Sequence, residues 1–237
     1  VGMLKFGRIA LAVSLSFASV SLLASVDKSP SEEIPVLQPE SQHAASSKRV
    51  SALFSRAHYK TFSMDDELSE QILARYLKML DYGRNVFLKS DVDSFAQYKH
   101  DFDSMLARGR LDVAFDIYNL NMKRREERYE YALTLLEKPF DFSKEERYHF
   151  DREDAEWAST EAELNELWRK RVKYDALNLT LADKEWPKVK ETLTKRYTRA
   201  IKRLKQSESE DAFQLLMNSF ARVVEPHTSY LSPRNAE

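Results

Sequence analysis

The 237-residue sequence has no cysteine and almost no net charge. Without cysteine, the chain cannot form disulfides, use a thiol nucleophile or ligate a metal through sulfur, so its stability must come from a packed core. Its 37 basic and 38 acidic residues leave a formal charge of -1. A charge this close to zero provides no overall attraction to a polyanion, and we expect no nucleic-acid partner.

Glycine is also scarce. The chain has four glycines, and Gly2 and Gly7 lie in the first apolar region, which leaves only Gly83 and Gly109 for the rest. Phosphate-binding loops, nucleophile elbows and tight hairpins need glycine where the backbone turns sharply or approaches a ligand. We therefore assign no catalytic, cofactor-binding or metal-binding residue in this chain, and we expect no cofactor.

Long apolar runs are limited to one, at the start of the chain. Ile9 to Ala24 is free of charge and follows the basic residues Lys5 and Arg8. A membrane-spanning helix needs about 20 mostly apolar residues, and this run is shorter and rich in serine and alanine. It predicts a secretory signal peptide over residues 1–24, cut near Ala24, while an uncleaved membrane anchor is the alternative.

The remaining residues, about 210 of them, are enough for one sizeable helical domain or two small ones. Residues 25–41 contain three prolines and read as an extended arm. Residues 42–224 show helical periodicity in about seven segments, with little or no sheet. The segments cover roughly 42–60, 65–83, 90–109, 111–138, a stretch opening at 160, 186–205 and 209–224. Residues 140–158 break this pattern, and 225–237 read as a linker. The predicted fold class is an irregular all-α bundle.

Local start and stop signals support several of these helices. Ser63 or Asp65 is placed to cap the second one, and Ser90 with Asp93 to cap the third. Thr160 and Glu163 predict a capping box further on. Pro139 is expected to end the long helix, and Trp186-Pro187 to open the next. On the first helix the spacing predicts an inward face made of Val50, Leu53, Phe54 and Ala57.

No motif carries catalytic chemistry. The histidines occur without metal-binding spacing, so we interpret each as a solvated or core residue: His43, His58, His100, His149 and His227. The acidic residues are dispersed, and no carboxylate pair can be selected as acid and base.

Two groups of basic residues need an interpretation. The first is interleaved with glutamates and predicts a salt-bridged exposed face on the long helix: Lys123, Arg124, Arg125 and Arg128. The second forms a stripe on the helix over 186–205: Lys195, Arg199, Lys202, Arg203 and Lys205. A solvated face is the simplest interpretation of the stripe. Docking to an acidic protein or peripheral association with a membrane surface remain alternatives.

Several short sequence motifs, in the order in which they occur, resemble those of a known family. Pro226-His-Thr-Ser-Tyr-Leu-Ser-Pro233 is similar to the segment that leads into the PDZ domain of carboxyl-terminal processing proteases. The preceding chain resembles the N-terminal helical domain of the bacterial periplasmic tail-specific proteases in these words: Ile34-Pro-Val-Leu37, Arg75-Tyr-Leu77, Leu80-Asp-Tyr82, Leu111-Asp-Val113, Tyr118-Asn-Leu120, Glu127-Arg-Tyr129, Leu136-Glu-Lys-Pro139, Glu163-Leu-Asn165 and Leu167-Trp168.

The resemblance implies a periplasmic serine endopeptidase that recognises apolar carboxyl-terminal tails through a PDZ domain and cuts with a Ser-Lys dyad. Both parts lie downstream in the family, so no family catalytic residue falls on a position of this chain. We expect a catalytically incomplete front end that frames the substrate cavity and docks on the downstream PDZ and protease domains. The resemblance also implies a helical-repeat lipoprotein adaptor as a partner.

Two other functions remain open at this point. One is a free-standing periplasmic helical binding or adaptor protein without enzymatic activity. The other is an independent hydrolase whose residues the sequence does not connect. PDZ and protease coding sequence directly after Glu237 would exclude the first, and hydrolysis by the pure chain that a point mutation abolishes would establish the second.

Overall fold

A computed structural model describes residues 33–57 and 63–231 of the chain. The predicted signal peptide, residues 25–32 of the arm, His58 and residues 232–237 lie outside this part. The described residues contain no strand, which confirms the all-α bundle. The helices are α1 Ser41–Ala57, α2 Asp66–Leu80, α3 Lys89–Phe95, α4 Phe102–Arg108, α5 Asp112–Leu135, α6 Glu161–Leu181, α7 Trp186–Lys205 and α8 Ser209–Val224.

The predicted third helix is two helices, which raises the number within the described residues from about seven to eight. α3 passes into a 3-10 turn, Ala96–Tyr98, before α4 begins. The hydroxyl of Ser69 on α2 accepts a hydrogen bond from the backbone N–H of Phe102 at 2.7 Å. This contact satisfies a free amide at the start of α4 and so stabilises the break. Both Phe95 and Phe102 are buried in the resulting geometry.

The predicted cap at Ser90 is wrong by two residues. α3 begins at Lys89, and the carboxylate of Asp91 accepts from the backbone N–H of Leu88 at 3.0 Å. The same carboxylate is held by Arg124 of α5. A partner distant in sequence therefore fixes the side chain that closes this end, and local spacing does not contain that information.

Other predicted helix ends are confirmed. Asp65 accepts from the N–H of Leu68 at 3.0 Å, and Thr160 accepts from that of Glu163 at 3.2 Å. Pro187 occupies the first turn of α7. α5 differs from its prediction, because it ends at Leu135, before Pro139 is reached. The backbone N–H of the next residue, Leu136, bonds to carbonyls three and two residues earlier, which tightens the last turn.

The buried residues form two hydrophobic cores joined by α5. The first core lies among α1 to α4, α8 and the first part of α5, with Ile72, Phe115 and Phe213 at its centre. The second lies among α6, α7 and the last part of α5, around Trp168 and Leu193. At about 1.5 Å per residue, α5 is roughly 36 Å long, enough to contribute to both.

The predicted inward face of α1 is partly wrong. Leu53 is 59% exposed, while His43, Ser47 and Ser51 are buried at four-residue spacing. The hydroxyl of Ser47 donates to the carbonyl of Leu106 at 2.8 Å, so Ser47 faces inward because it pairs with the backbone of α4. The side chain of Ala57 lies outside the described part.

Gly109 permits α1 and α4 to lie this close. It ends α4 with a positive φ of 68°, a conformation that glycine adopts without strain. A β-carbon at this position would lie 2.7 Å from the carbonyl oxygen of Ala44 in α1. The space between the two helices therefore depends on the absence of a side chain here.

Candidate docking surfaces

The described part of the N-terminal arm is bound to the helical body. Residues 34–40 have no regular secondary structure, and Leu37 is buried in the first core. Asn119 of α5 holds Leu37 by two hydrogen bonds: its Oδ1 accepts from the backbone N–H, and its Nδ2 donates to the backbone carbonyl, both at 2.9 Å. One side-chain amide therefore satisfies both polar backbone groups of Leu37.

The C-terminal segment, residues 225–231, is held in the same way. Asn218 of α8 accepts from the backbone N–H of Tyr230 at 2.9 Å and donates to its carbonyl at 3.3 Å. The Tyr230 ring packs edge-on against Phe213, with the ring centroids 5.4 Å apart. Burial, and then the nearby Glu210 carboxylate, raise the pKa of the Tyr230 hydroxyl. We call this pair of bonds the Asn218 clamp.

His43 connects the two terminal segments through the core. Its Nδ1 accepts from the backbone N–H of Glu40 at 3.0 Å, and its Nε2 lies 3.0 Å from the Glu210 carboxylate. Because Nδ1 accepts, the proton is assigned to Nε2, which then donates to Glu210. The ring stacks on Phe213 with a centroid distance of 4.5 Å. His43 is thus a core histidine that links the arm, α1 and α8.

The other described histidines lie apart from one another. His100 bonds Glu70 at 2.7 Å between Nε2 and Oε1, while His149 and His227 are exposed. Within residues 33–57 and 63–231, no three histidine, aspartate or glutamate side chains are grouped so that they could hold a metal ion. Across the same ranges, none of the helices combines the length and apolar character that crossing a bilayer requires.

Asp81, just after α2, hydrogen-bonds two later parts of the chain. Its carboxylate accepts from the backbone N–H groups of Asn85, Val86 and Phe87 at 2.9 to 3.1 Å, and from the indole N–H of Trp157 at 3.2 Å. The side chain is 3% exposed. A single buried carboxylate thereby holds both the loop after α2 and the segment that precedes α6.

Of the four basic residues of α5 predicted to form an exposed face, only Lys123 is exposed. Arg124 makes a bidentate ion pair with Asp91 at 2.8 and 2.9 Å, and these bonds raise the pKa of the guanidinium. Arg125 donates to the carbonyl of Leu80 at 2.5 Å. Arg128 is 4% exposed and donates to a side chain of α6. The prediction failed because three cations reach neighbouring elements, where buried carbonyls and carboxylates accept from them.

The basic stripe on α7 is exposed over most of its length, at Lys195, Arg199, Lys202 and Arg203. Lys195 pairs with Glu191 of the same helix, and Lys205 lies 3.8 Å from Glu126 of α5. These contacts are typical of a solvated face. Docking of an acidic protein or a membrane to this stripe stays a prediction.

A cleft of about 460 Å³ lies between α6 and the irregular segment 136–160 that precedes it. Its apolar lining comes from Phe142, Tyr148, Tyr174 and Leu177. The cleft also has a set of basic side chains: Lys144, Arg147, Lys170 and Lys173. We call it the α6 cleft. It was missed at the sequence level because residues 140–158 carry no periodic pattern.

Fold and surfaces together define an all-helical domain with two cores, whose N- and C-terminal segments are both bound to its body. The chain belongs to the family described as the tail specific protease N-terminal domain, which its residues 50–234 match.

A full-length relative extends this assignment. The chain is 46% identical over 229 residues to the tail-specific protease of Haemophilus influenzae, a match that covers 96% of this chain and 33% of that protein. It therefore spans about a third of the relative's length. The resemblance to the N-terminal domain of tail-specific proteases, inferred from the short sequence motifs, is confirmed.

Proposed function

We propose that this chain is the N-terminal scaffolding and docking domain of a periplasmic serine endopeptidase that acts on proteins through their apolar carboxyl-terminal tails. The family match and the protease relative support the first part of this statement. The serine chemistry, the tail preference, the signal peptide and the periplasmic location follow from the resemblance and are proposed with it. Residues 225–237 are then the linker toward a PDZ domain.

The Asn218 clamp is the observation that carries the scaffolding role. Tyr230 lies beyond the last helix, yet its backbone is bound at both polar atoms and its ring rests on Phe213. A segment bound in this way cannot rotate freely relative to α8. A domain that follows it would leave the helical body at a fixed position, which suits a domain that frames a substrate cavity.

The chain alone is proposed to be inactive. Its partners would be the downstream PDZ and protease domains, protein substrates with apolar carboxyl termini and a helical-repeat lipoprotein adaptor. Incubation of the pure chain with an unfolded, apolar-tailed protein is expected to leave that protein intact. Turnover by the pure chain would contradict the proposal.

The clamp can be tested in the full-length protein. Asn218→Ala removes both hydrogen bonds to Tyr230. We expect turnover of an apolar-tailed substrate to fall by about tenfold or more, because the following domains would no longer be held in the orientation that catalysis needs. Circular dichroism should show the same helix content as the wild type.

Asn178→Ala is the matched control, since Asn178 is an exposed asparagine of α6. This variant should retain wild-type turnover. If Asn218→Ala also retained it, the clamp would have no part in positioning the catalytic portion, and the scaffolding role would lose its structural support.

A further inference from the structure

We propose that the α6 cleft binds a short protein segment in which an apolar side chain lies next to a carboxylate. The inference rests on the proposed docking function and specifies one class of segment that would dock. It is carried by two properties of the cleft that occur together, an aromatic lining and an excess of positive charge.

The lining supplies the apolar part of the site. The rings of Tyr148 and Tyr174 lie 5.4 Å apart between centroids, at an angle of 41°. Phe142 is 36% exposed and Tyr174 is 39% exposed, so both rings retain surface that a ligand can cover. A volume of about 460 Å³ is within the range of sites that enclose small ligands or a few side chains.

The positive charge of the cleft is only partly neutralised from within. Four basic side chains and one carboxylate, that of Glu146, line it. Arg169 and then Lys173 hydrogen-bond Glu146 and lower its pKa to about 2, so it remains ionised and committed to them at neutral pH. Lys170 reaches Glu166 only at 3.7 Å.

Two cations at the rim remain available. Lys144 and Arg147 are exposed, and neither forms an ion pair with any residue in the described ranges. Hydrogen bonds from Ser143, and then the charges of Lys144 and Lys173, lower the pKa of Asp141, but neither Asp141 nor Glu145 lines the cleft. A ligand that enters would therefore meet an excess of positive charge beside aromatic surface, which complements a carboxylate adjacent to an apolar group.

A protein segment is the occupant that this geometry favours. One wall is an irregular stretch of chain and the other is a helix, and the residues at the rim, Lys144, Arg147 and His149, are exposed. A chain that continues on both sides of the bound residues can enter such a cleft from solvent. A relative of this domain is a protease, so protein segments are the ligands that the proposed function would bring to it.

Fluorescence anisotropy with labelled peptides tests the proposal on this chain. The probe is a fluorescein-labelled hexapeptide, Ser-Gly-Phe-Glu-Gly-Ser, compared with one peptide in which Glu is replaced by Gln and another in which Phe is replaced by Ser. We expect the parent peptide to bind at least several-fold more tightly than either. Affinity should also fall as salt is raised, since the charges are exposed.

Protein variants locate the binding. The double change Lys144→Gln with Arg147→Gln should weaken binding by about tenfold, the effect of two exposed charge interactions together. Phe142→Ser should weaken it through the lost apolar contact. Lys190→Gln is the matched control, because Lys190 is an exposed lysine of α7 that does not line the cleft, and it should bind as the wild type does.

Equal affinity for the Glu and Gln peptides, or unchanged binding by the double variant, would overturn the proposal. Binding to phosphatidylglycerol vesicles that the double variant loses, without any peptide binding, would assign the cleft to a membrane surface and overturn it as well. Either result leaves the turnover test of Asn218→Ala unaffected, so the failure of this inference is distinguishable from a failure of the proposed function.

Discussion

At the scale of single residues, the domain depends on a few buried or half-buried polar side chains that each satisfy several partners. Asp81 accepts four hydrogen bonds, three of them from backbone N–H groups. Asn119 and Asn218 each pair with both polar backbone atoms of one residue. These side chains hydrogen-bond backbone groups that a sheet or a tight glycine turn would pair in other proteins. This explains how the loops are held in place with so few glycines.

Replacement of Asp81 tests this role. Asp81→Ala would leave buried N–H groups without acceptors, and we expect the free energy of unfolding to fall by about 2 to 4 kcal/mol. Urea denaturation followed by circular dichroism measures the change. Asp93→Ala, at an exposed position paired with Lys89, should change it by less than about 1 kcal/mol. Equal effects of the two changes would contradict the assigned role of Asp81.

At the scale of elements, the segment 136–160 is irregular but attached to the helices at defined points. Trp157 bonds Asp81, and Arg84 lies over the Trp157 ring at 4.5 Å. On the opposite side of the segment, Glu146 joins it to α6 through Arg169 and Lys173. The segment therefore forms a wall of the α6 cleft without regular secondary structure of its own.

The attachment through Glu146 should be sensitive to acid. Its pKa in the folded protein is about 2, below the ordinary value of 4.5, because Arg169 and Lys173 hydrogen-bond the charged form. The favourable contribution is therefore complete above about pH 4.5 and is lost as the pH falls toward 2. Carboxyl carbon chemical shifts measured by NMR should give a midpoint near 2 for Glu146.

The control for this titration is Arg169→Gln, which removes the larger cause of the shift and should move the midpoint of Glu146 upward. A midpoint close to 4.5 in the unmodified protein would show that the two ion pairs do not persist in solution.

At the scale of the whole molecule, two cores share one helix. α6 and α7 pack chiefly on each other and on α5, with an added contact where the Trp168 indole donates to the carbonyl of Asn85 at 2.6 Å. The first core holds both terminal segments. The part of the domain that would connect to the rest of a longer protein is thus distinct from the part that forms the α6 cleft.

This division predicts unequal local stability. Trp168→Ala should cost about 3 to 5 kcal/mol, because a large, fully buried side chain is removed from the second core. Hydrogen exchange followed by mass spectrometry should show protection lost mainly in α6 and α7, while α2 and α8 remain protected. Uniform loss of protection across all helices would show that the two cores unfold as one unit.

The sequence by itself determined the helices and the family. Periodicity and end signals act within a few residues, so α2, α7 and α8 are found close to their predicted positions, and the order of short words identified the family that the comparison confirms. The same local rules misplaced the start of α3 and joined it to α4, because Arg124 and Ser69, which decide those ends, lie on other helices.

Only the tertiary structure decided which polar residues are structural. Asn119 and Leu37 are 82 positions apart, and His43 and Glu210 are 167 apart. Patterns in a single sequence indicate the face of a helix on which a residue lies, but they do not identify the residue of another element that it contacts. The α6 cleft likewise exists only because an aperiodic segment is held against α6 by such distant contacts, and whether a carboxylate there is paired or free depends on that packing.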